Sequence, residues 1–246
     1  MDPSARRLKG QRLEEGLCAL LYDASLRDRQ RAGEAPDPLL SSLDPTELEE
    51  AAASVRRMVE ARAHRGTGGL KDWFPKTLSA WRKEHLDGGT EADAGWLDRL
   101  LEDFCASLSC AGWRETPGGR PGLSLEESLY RFFESRAIGD ATVREEEFIG
   151  AVIRGLAVAP TSSFVRPAIV RAAPGGCFAV TRAGVLHAAL DGKYLRGEVT
   201  PLIAAILSGE PSERIAARSG TTVSDVERVR AELRHLRLIE GEQRGP

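Results

Sequence analysis

The sequence lacks any long hydrophobic run, and it is poor in cysteine. No segment approaches the ~18–20 consecutive apolar residues that a membrane-spanning helix requires, and no apolar core of a signal peptide follows Met1-Asp2-Pro3. With 4 cysteines in 246 residues, the chain is far from the density of a disulfide-stapled secreted protein. These absences predict a cytoplasmic protein with reduced thiols and no membrane association.

A strong excess of positive charge is also missing. Residues 161–246 hold 12 Lys+Arg against 9 Asp+Glu, a net +3, and the residues before them carry a net −6. A protein that neutralises several DNA phosphates normally presents a clearly basic face. The charge therefore argues against a nucleic-acid partner.

Residues that could carry catalysis or hold a metal are scattered. Cys105 and Cys110 are spaced neither as a redox pair nor as half of a zinc site, and the four histidines show no ligand spacing. Cys177 and His187 lie on neighbouring predicted strands, which leaves open an enzyme that uses Cys177. We predict no catalytic residue, no metal and no cofactor.

Residues 1–160 show the apolar periodicity of α-helices. One stripe recurs at helical spacing in Leu97, Leu100, Leu101, Phe104 and Leu108. Asp44-Pro45 marks one helix start, because aspartate caps a helix and proline suits its first position, and Ser124 marks another. We predict an α-helical domain over residues 1–160.

The pattern then changes to short β segments. Three segments rich in strand-forming residues are separated by turns that contain glycine: Ala168–Arg171, Cys177–Thr181 and Val185–Leu190. We expect a three-stranded sheet in which the strands follow chain order.

Three helix starts follow the predicted sheet. They lie at Thr200-Pro201, at Pro211 and at Ser224, which is spaced from Glu227 as a capping box. Three strands followed by three helices predict a winged helix over residues 164–240. The fold class expected for the whole chain is α+β, mostly α.

A small sheet beside a helical bundle leaves an edge strand whose unpaired N–H and C=O groups can pair with an extended peptide. Val185–Leu190 is the edge strand expected from chain order, and its groove would lie against the third helix. The predicted peptide-binding residues are therefore Val185, His187, Ala189, Val229, Arg230 and Leu233.

Four tryptophans lie in the predicted helical domain. Packing in the core or between domains is the ordinary role of such residues, but aromatic side chains are also enriched at interfaces. We predict partner-binding residues in Trp73, Phe74 and Trp81.

The C-terminal part resembles the winged-helix peptide-recognition domains of ribosomal-peptide modification systems, known as RiPP recognition elements. The resemblance is carried by Gly175–Val180, Leu190–Gly192, Thr200–Ile203 and Leu233–Ile239. It implies binding of the leader segment of a precursor peptide by strand addition. Leu190–Gly197 departs from the pattern as an insertion-like stretch before the first helix.

Two segments of the N-terminal part, Leu20–Arg27 and Trp73–Leu78, resemble the partner subunits of multinuclear non-heme iron-dependent oxidases, such as the methanobactin partner subunits. The resemblance implies a non-catalytic accessory subunit that forms a heterodimer with the oxidase and presents the precursor peptide to it. In that family, the iron and the chemistry belong to the other subunit.

Two other interpretations stay open. Ile215–Gly220 and the arginine-bearing helix after it are compatible with a winged-helix transcriptional regulator whose last helix enters the major groove of DNA. A winged helix can also serve only for packing or dimerisation. Glu227 and Glu232 interrupt the positive charge of the last helix, and this favours the peptide.

Overall fold

The structure is a computed structural model that describes residues 13, 16–17, 19–21, 24–34, 40, 43–65, 68–85, 95–107, 123–159 and 166–240. The chain divides into two compact units, Met1–Gly139 and Asp140–Pro246. We call them the N-terminal unit and the C-terminal unit. The expected α+β class is confirmed.

The described elements of the N-terminal unit are helical. They are α1 (Ala24–Arg31), α2 (Pro45–Ala63), α3 (Leu70–Trp73), α4 (Pro75–His85), α5 (Trp96–Cys105) and α6 (Leu125–Ser135). The predicted starts of α2 and α6 are confirmed, because Asp44 accepts hydrogen bonds from the amides of Thr46 and Glu47, and Ser124 accepts one from Glu127. Among the described residues, no helix of the chain is long and apolar enough to cross a membrane.

Aromatic side chains fill the core of the N-terminal unit. Phe74 packs edge-on against Phe133 with ring centroids 5.2 Å apart, and Phe104 packs against Phe132 at 5.6 Å. All four rings are at most 1% exposed. Such pairs add to the free energy gained by burying large apolar surfaces, so these rings contribute to the stability of the unit together with its buried leucines.

The C-terminal unit begins with helix α7 (Ala141–Val158), which sequence analysis had placed in the helical domain. Asp140 caps it by accepting hydrogen bonds from the amides of Thr142 and Val143. Helix α7 packs on strands that follow it in the chain. For this reason the unit boundary lies at residues 139–140 rather than near residue 160.

The sheet has four antiparallel strands rather than the predicted three. They are β1 (Arg171–Ala173), β2 (Gly176–Val180), β3 (Val185–Leu190) and β4 (Lys193–Glu198), and they lie in chain order. Strand β4 consists mostly of the stretch that the sequence suggested was an insertion. It pairs with β3 along its whole length, from Leu190 opposite Lys193 to Val185 opposite Glu198.

A two-residue turn, Asp191-Gly192, explains the fourth strand. Both residues adopt positive φ angles, 50° and 75°, as a type I′ turn requires. Asp-Gly is a favoured sequence for that turn, because both residue types tolerate the left-handed region. The chain therefore reverses tightly after β3 and returns as β4.

Three helices follow the sheet: α8 (Pro201–Leu207), α9 (Ser212–Ser219) and α10 (Val223–His235). Thr200 caps α8 as predicted. The predicted cap of α10 was wrong by two residues, because Thr222 rather than Ser224 accepts the hydrogen bond from the amide of Asp225. Gly220, with φ 66°, ends α9 in a left-handed turn.

The sheet is covered on both faces. Buried residues of one face share a core with α8–α10; the strands contribute Phe178, Ala188 and Leu190 to it. Residues of the other face, including His187, lie against α7. The C-terminal unit is therefore layered, with one helix on one side of the sheet and three on the other.

Candidate functional site

Strand β4 is the long outer strand of the sheet, so the prediction that Val185–Leu190 is the edge strand was wrong. Strand β3 is interior, with β2 on one side and β4 on the other. Within the described part of the chain, β1 and β4 end the sheet. Strand β1 has three residues and β4 has six, so β4 offers the longer edge to an added strand.

Alternate residues of β4 direct their backbone groups outward. The two-residue turn makes Leu190 and Lys193 a hydrogen-bonded pair, and such pairs recur at every second position of an antiparallel ladder. Gly184 and Val199 continue this series of pairs beyond the end of β4, and the amide of Val199 donates to the carbonyl of Gly184. The N–H and C=O groups of Tyr194 and Arg196 consequently face the open edge.

The α7 face of β4 is held by polar contacts. The hydroxyl of Tyr194 lies 2.8 Å from Nδ1 of His187, and Arg154 of α7 lies over the Tyr194 ring, 5.6 Å from its centroid. Arg196 forms an ion pair with Glu146 of α7. The contacts of Tyr194 and Arg196 tie β4 to β3 and α7, and they add to the β3–β4 ladder in holding the edge strand.

Gly150 lets α7 approach the sheet closely. A Cβ at this position would lie 3.2 Å from Cε1 of His187 and 3.5 Å from the Tyr194 hydroxyl. That spacing is too tight for a side chain unless the buried ring shifts. The glycine therefore places the α7 backbone directly against the His187–Tyr194 pair.

His187 is 2% exposed, and its pKa is lowered to about 4, mainly by burial; Glu146 acts to raise this pKa, and Arg196 and Arg154 act to lower it. The imidazole is accordingly neutral at neutral pH. Its Nε2 atom is buried and has no hydrogen-bond partner among the described residues. Burial also raises the pKa of the Tyr194 phenol, so both partners of this hydrogen bond are neutral.

The opposite face of β4 offers apolar surface. Leu195 lies across from Ala188, which belongs to the core shared with α8–α10, yet the Leu195 side chain is 48% exposed. Beside it, a Cβ built on Gly197 would meet no atom of the described residues within 4 Å. The edge is thus flanked by one exposed leucine and a small open space on this face.

The structure separates the predicted peptide-binding residues into two groups. Val185, His187 and Ala189 are buried on the α7 face of β3, whereas Val229 and Leu233 pack in the core on the other face. The sheet lies between the groups, so the predicted groove does not form from them. An extended guest would reach β4 instead.

Arg230, the sixth predicted peptide-binding residue, is engaged within the helices. It donates to the hydroxyl of Ser212 at 2.8 Å and to the carbonyl of Glu210, and Glu227 lies 3.5 Å away. These contacts join α10 to α9. The guanidinium therefore has a structural role in the helix pair.

The other arginines of α10 and its end are also ion-paired. Arg228 pairs with Asp225 at 2.8 Å, and Arg234 lies 3.6 Å from Glu227. Arg237 pairs with Asp191 of the β3–β4 turn at 2.7 Å. Phosphate contacts by these side chains would compete with carboxylates that are already in place.

The predicted partner-binding residues lie in the core of the N-terminal unit. Trp73, Phe74 and Trp81 are 6%, 0% and 3% exposed. A partner would find almost no surface of these side chains to contact. Trp96, which was not among the predicted residues, is partly exposed, and its ring centroid lies 6.2 Å from that of Trp81.

In the described part of the chain, the residues that could take part in catalysis or hold a metal do not form a site. Cys177 is 3% exposed, and burial raises the pKa of its thiol, which disfavours the nucleophilic thiolate. His187 is hydrogen-bonded to the hydroxyl of Tyr194. Among the described residues, no three His, Cys, Asp or Glu side chains are grouped to hold a metal; Cys18 and Cys110 lie outside those residues.

Comparison with known proteins adds no assignment. No protein-family model, curated protein or solved structure matches the chain. Any proposal about function must therefore rest on the geometry of the chain and on the resemblance of its sequence patterns.

Sequence reasoning missed the residues of the β4 edge. Tyr194, Leu195 and Arg196 were assigned to an insertion, although Asp191-Gly192 between two strand-like segments is a strong hairpin signal. That dipeptide would have been sufficient to predict β4 and to move the edge from β3.

Proposed function

We propose that the C-terminal unit binds an extended peptide by strand addition at the outer edge of β4. The observation that carries the proposal is the six-residue edge strand, whose alternate N–H and C=O groups face outward beside the exposed Leu195. Backbone hydrogen bonds give such an interaction its affinity, and pockets for alternate side chains give specificity.

The guest that fits the sequence resemblance is the leader of a ribosomal precursor peptide. The chain would be a non-catalytic accessory subunit that presents this peptide to an iron-dependent oxidase, with which it forms a heterodimer. The sheet followed by three helices is compatible with the winged-helix module of RiPP recognition elements. The fourth strand changes the site, since β4 rather than β3 carries the open edge.

The arginine contacts support this function over DNA binding. Each of the four arginines from Arg228 to Arg237 has a carboxylate partner within 4 Å. DNA binding depends on basic side chains that are available to phosphates. A regulator would show specific DNA retardation with a steep salt dependence.

The edge can be tested with two substitutions at one position. Linear peptides selected on the full chain from a random phage library serve as ligands. Arg196→Pro removes an outward amide without removing a ladder hydrogen bond to β3, and edge strands accept proline at such positions. Arg196→Ala removes the same side chain and keeps the amide, so it is the matched control.

We expect Arg196→Pro to weaken peptide binding about tenfold or more relative to Arg196→Ala, since one hydrogen bond is lost and the guest's carbonyl is left without a partner. Equal affinity of the two variants would show that the peptide does not pair with β4. Circular dichroism would verify that both variants keep the fold.

The accessory role requires a separate experiment. Co-purification of this chain with the oxidase from a neighbouring gene, followed by titration with its precursor peptide, tests the heterodimer and the guest together. We expect a stable complex and saturable binding. Absence of both would refute the proposed role.

A further inference from the structure

A pocket of about 290 Å³ lies beside the indole of Trp96 in the N-terminal unit. Its described lining consists of Lys71, Pro75, Leu78, Ser79, Arg82 and Trp96. Ligand pockets commonly begin at about 300 Å³. The space therefore suits a small ligand.

Two positive charges converge on one aromatic ring in this pocket. The guanidinium carbon of Arg82 lies 5.2 Å from the Trp96 ring centroid, and Nζ of Lys71 lies 5.8 Å from it. Both distances are within the ~6 Å range in which the ring attracts a cation. Trp96 thereby holds the two side chains near each other.

No carboxylate balances these charges among the described residues. The described lining contains none, and neither Lys71 nor Arg82 forms an ion pair there. Other arginines of the same unit do have partners; Arg56 lies 2.7 Å from Glu60, and Arg62 lies 3.2 Å from Glu126. Two like charges without a counter-charge repel each other, and a bound anion would relieve that repulsion.

We propose that this pocket binds a phosphate monoester of a small apolar or aromatic group. A phosphate monoester carries nearly two negative charges at neutral pH, which matches the charges of Lys71 and Arg82. Both side chains, and the Ser79 hydroxyl, can donate hydrogen bonds to its oxygens. Leu78 and Trp96 supply apolar surface for the attached group. The proposal does not depend on peptide binding at β4.

Phenyl phosphate is a suitable probe. Titration into the full chain is followed by NMR of the tryptophan indole N–H groups, with the Trp96 signal assigned from a Trp96→Phe variant. We expect a saturable shift of the Trp96 signal. Benzoate, which has one negative charge, should bind more weakly, and phenol, which is neutral at pH 7, should not bind.

Charge-removing variants locate the site. Lys71→Gln and Arg82→Gln should each weaken phenyl phosphate binding about tenfold, because each removes a charge-assisted hydrogen bond. Lys83→Gln is the control, because it removes a positive charge from a neighbouring residue of α4 that is absent from the described pocket lining. The Lys83→Gln variant should bind phenyl phosphate as tightly as the unmodified chain does. Arg82→Lys keeps the charge and should retain most of the binding.

Three results would overturn the proposal. The first is the absence of a saturable Trp96 shift at millimolar phenyl phosphate. The second is equal weakening by Lys83→Gln and Lys71→Gln, which would indicate a general effect of surface charge. The third is equal affinity for benzoate and phenyl phosphate, which would exclude selection for phosphate. Circular dichroism must show that each variant is folded before its affinity is compared with that of the unmodified chain.

Discussion

On the face of the sheet that packs against α8–α10, the buried side chains are apolar; Phe178, Ala188 and Leu190 share a core with Ile215 of α9. On the α7 face, the contacts that reach β4 are polar: the His187–Tyr194 hydrogen bond and the Glu146–Arg196 ion pair. Both faces belong to one sheet, and neighbouring residues of β3 alternate between them.

The apolar and the polar contacts contribute differently to the stability of the unit and to the position of β4. Apolar burial is non-directional and supplies most of the free energy of folding. Hydrogen bonds and ion pairs contribute less net free energy but depend strongly on geometry. We infer that apolar burial supplies stability on both faces, since Val185 and Ala189 are buried on the α7 face, and that the polar contacts of the α7 face add to the β3 ladder in holding β4 and its edge.

The largest effect is expected on the apolar face. Ile215 is 0% exposed, so Ile215→Ala leaves a cavity and should lower the free energy of unfolding by about 2–5 kcal/mol. Leu236→Ala, at a leucine that is 53% exposed, is the control and should change it by less than about 1 kcal/mol. Chemical denaturation measures both; equal losses would contradict the assignment of the core.

The buried histidine of the α7 face, His187, should make stability depend on pH. The pKa of His187 falls from 6.5 to about 4 on folding, so between these values the unfolded chain binds a proton that the folded chain does not. The free energy of unfolding should therefore decrease as the pH falls from 6.5 to about 4, by at most about 3 kcal/mol from this residue.

A His187→Gln variant isolates that contribution. Glutamine can still hydrogen-bond Tyr194 but does not titrate, so the slope of stability against pH should be shallower than in the unmodified chain. Denaturation across this pH range measures the difference. Identical slopes would show that the pKa of His187 does not change on folding.

Two glycines of α7 give a matched pair. Gly155 has open space around it, and Gly155→Ala should raise the free energy of unfolding by about 0.5–1 kcal/mol through helix propensity alone. Gly150→Ala gains the same propensity but places its Cβ against the His187 ring. It should therefore be less stable than Gly155→Ala by about 1 kcal/mol or more. Equal thermal stabilities of the two variants would refute close packing at Gly150.

The smallest effect is expected for the partly exposed ion pair. Arg196 is 51% exposed in its pair with Glu146, so Glu146→Gln should cost less than about 1 kcal/mol. Because Glu146 raises the pKa of His187, its removal should shift that pKa downward. An NMR titration of His187 measures the shift, and an upward change would contradict the described geometry.

Local signals in the sequence predicted much of the fold. The caps Asp44, Ser124 and Thr200 each act on amides two or three residues away, so short-range chemistry is sufficient to find them. The apolar stripe from Leu97 to Phe104 likewise forms a buried helix face. These features need no knowledge of tertiary structure.

The candidate site was harder to predict, for two different reasons. Asp191-Gly192 is a local signal that was not used, and this error moved the edge from β4 to β3. The contact of Gly150 with His187 joins residues far apart in the chain, and nothing in the sequence near either residue reveals it.

Amide hydrogen exchange of β4 tests the central claim most directly. In the free chain, the amides of Tyr194 and Arg196 should exchange rapidly because they face outward, while those of Leu195 and Gly197 should be protected by β3. A selected linear peptide should then protect Tyr194 and Arg196. Protection of these two amides in the free chain, or no change when the peptide is bound, would contradict an open edge that receives a peptide strand.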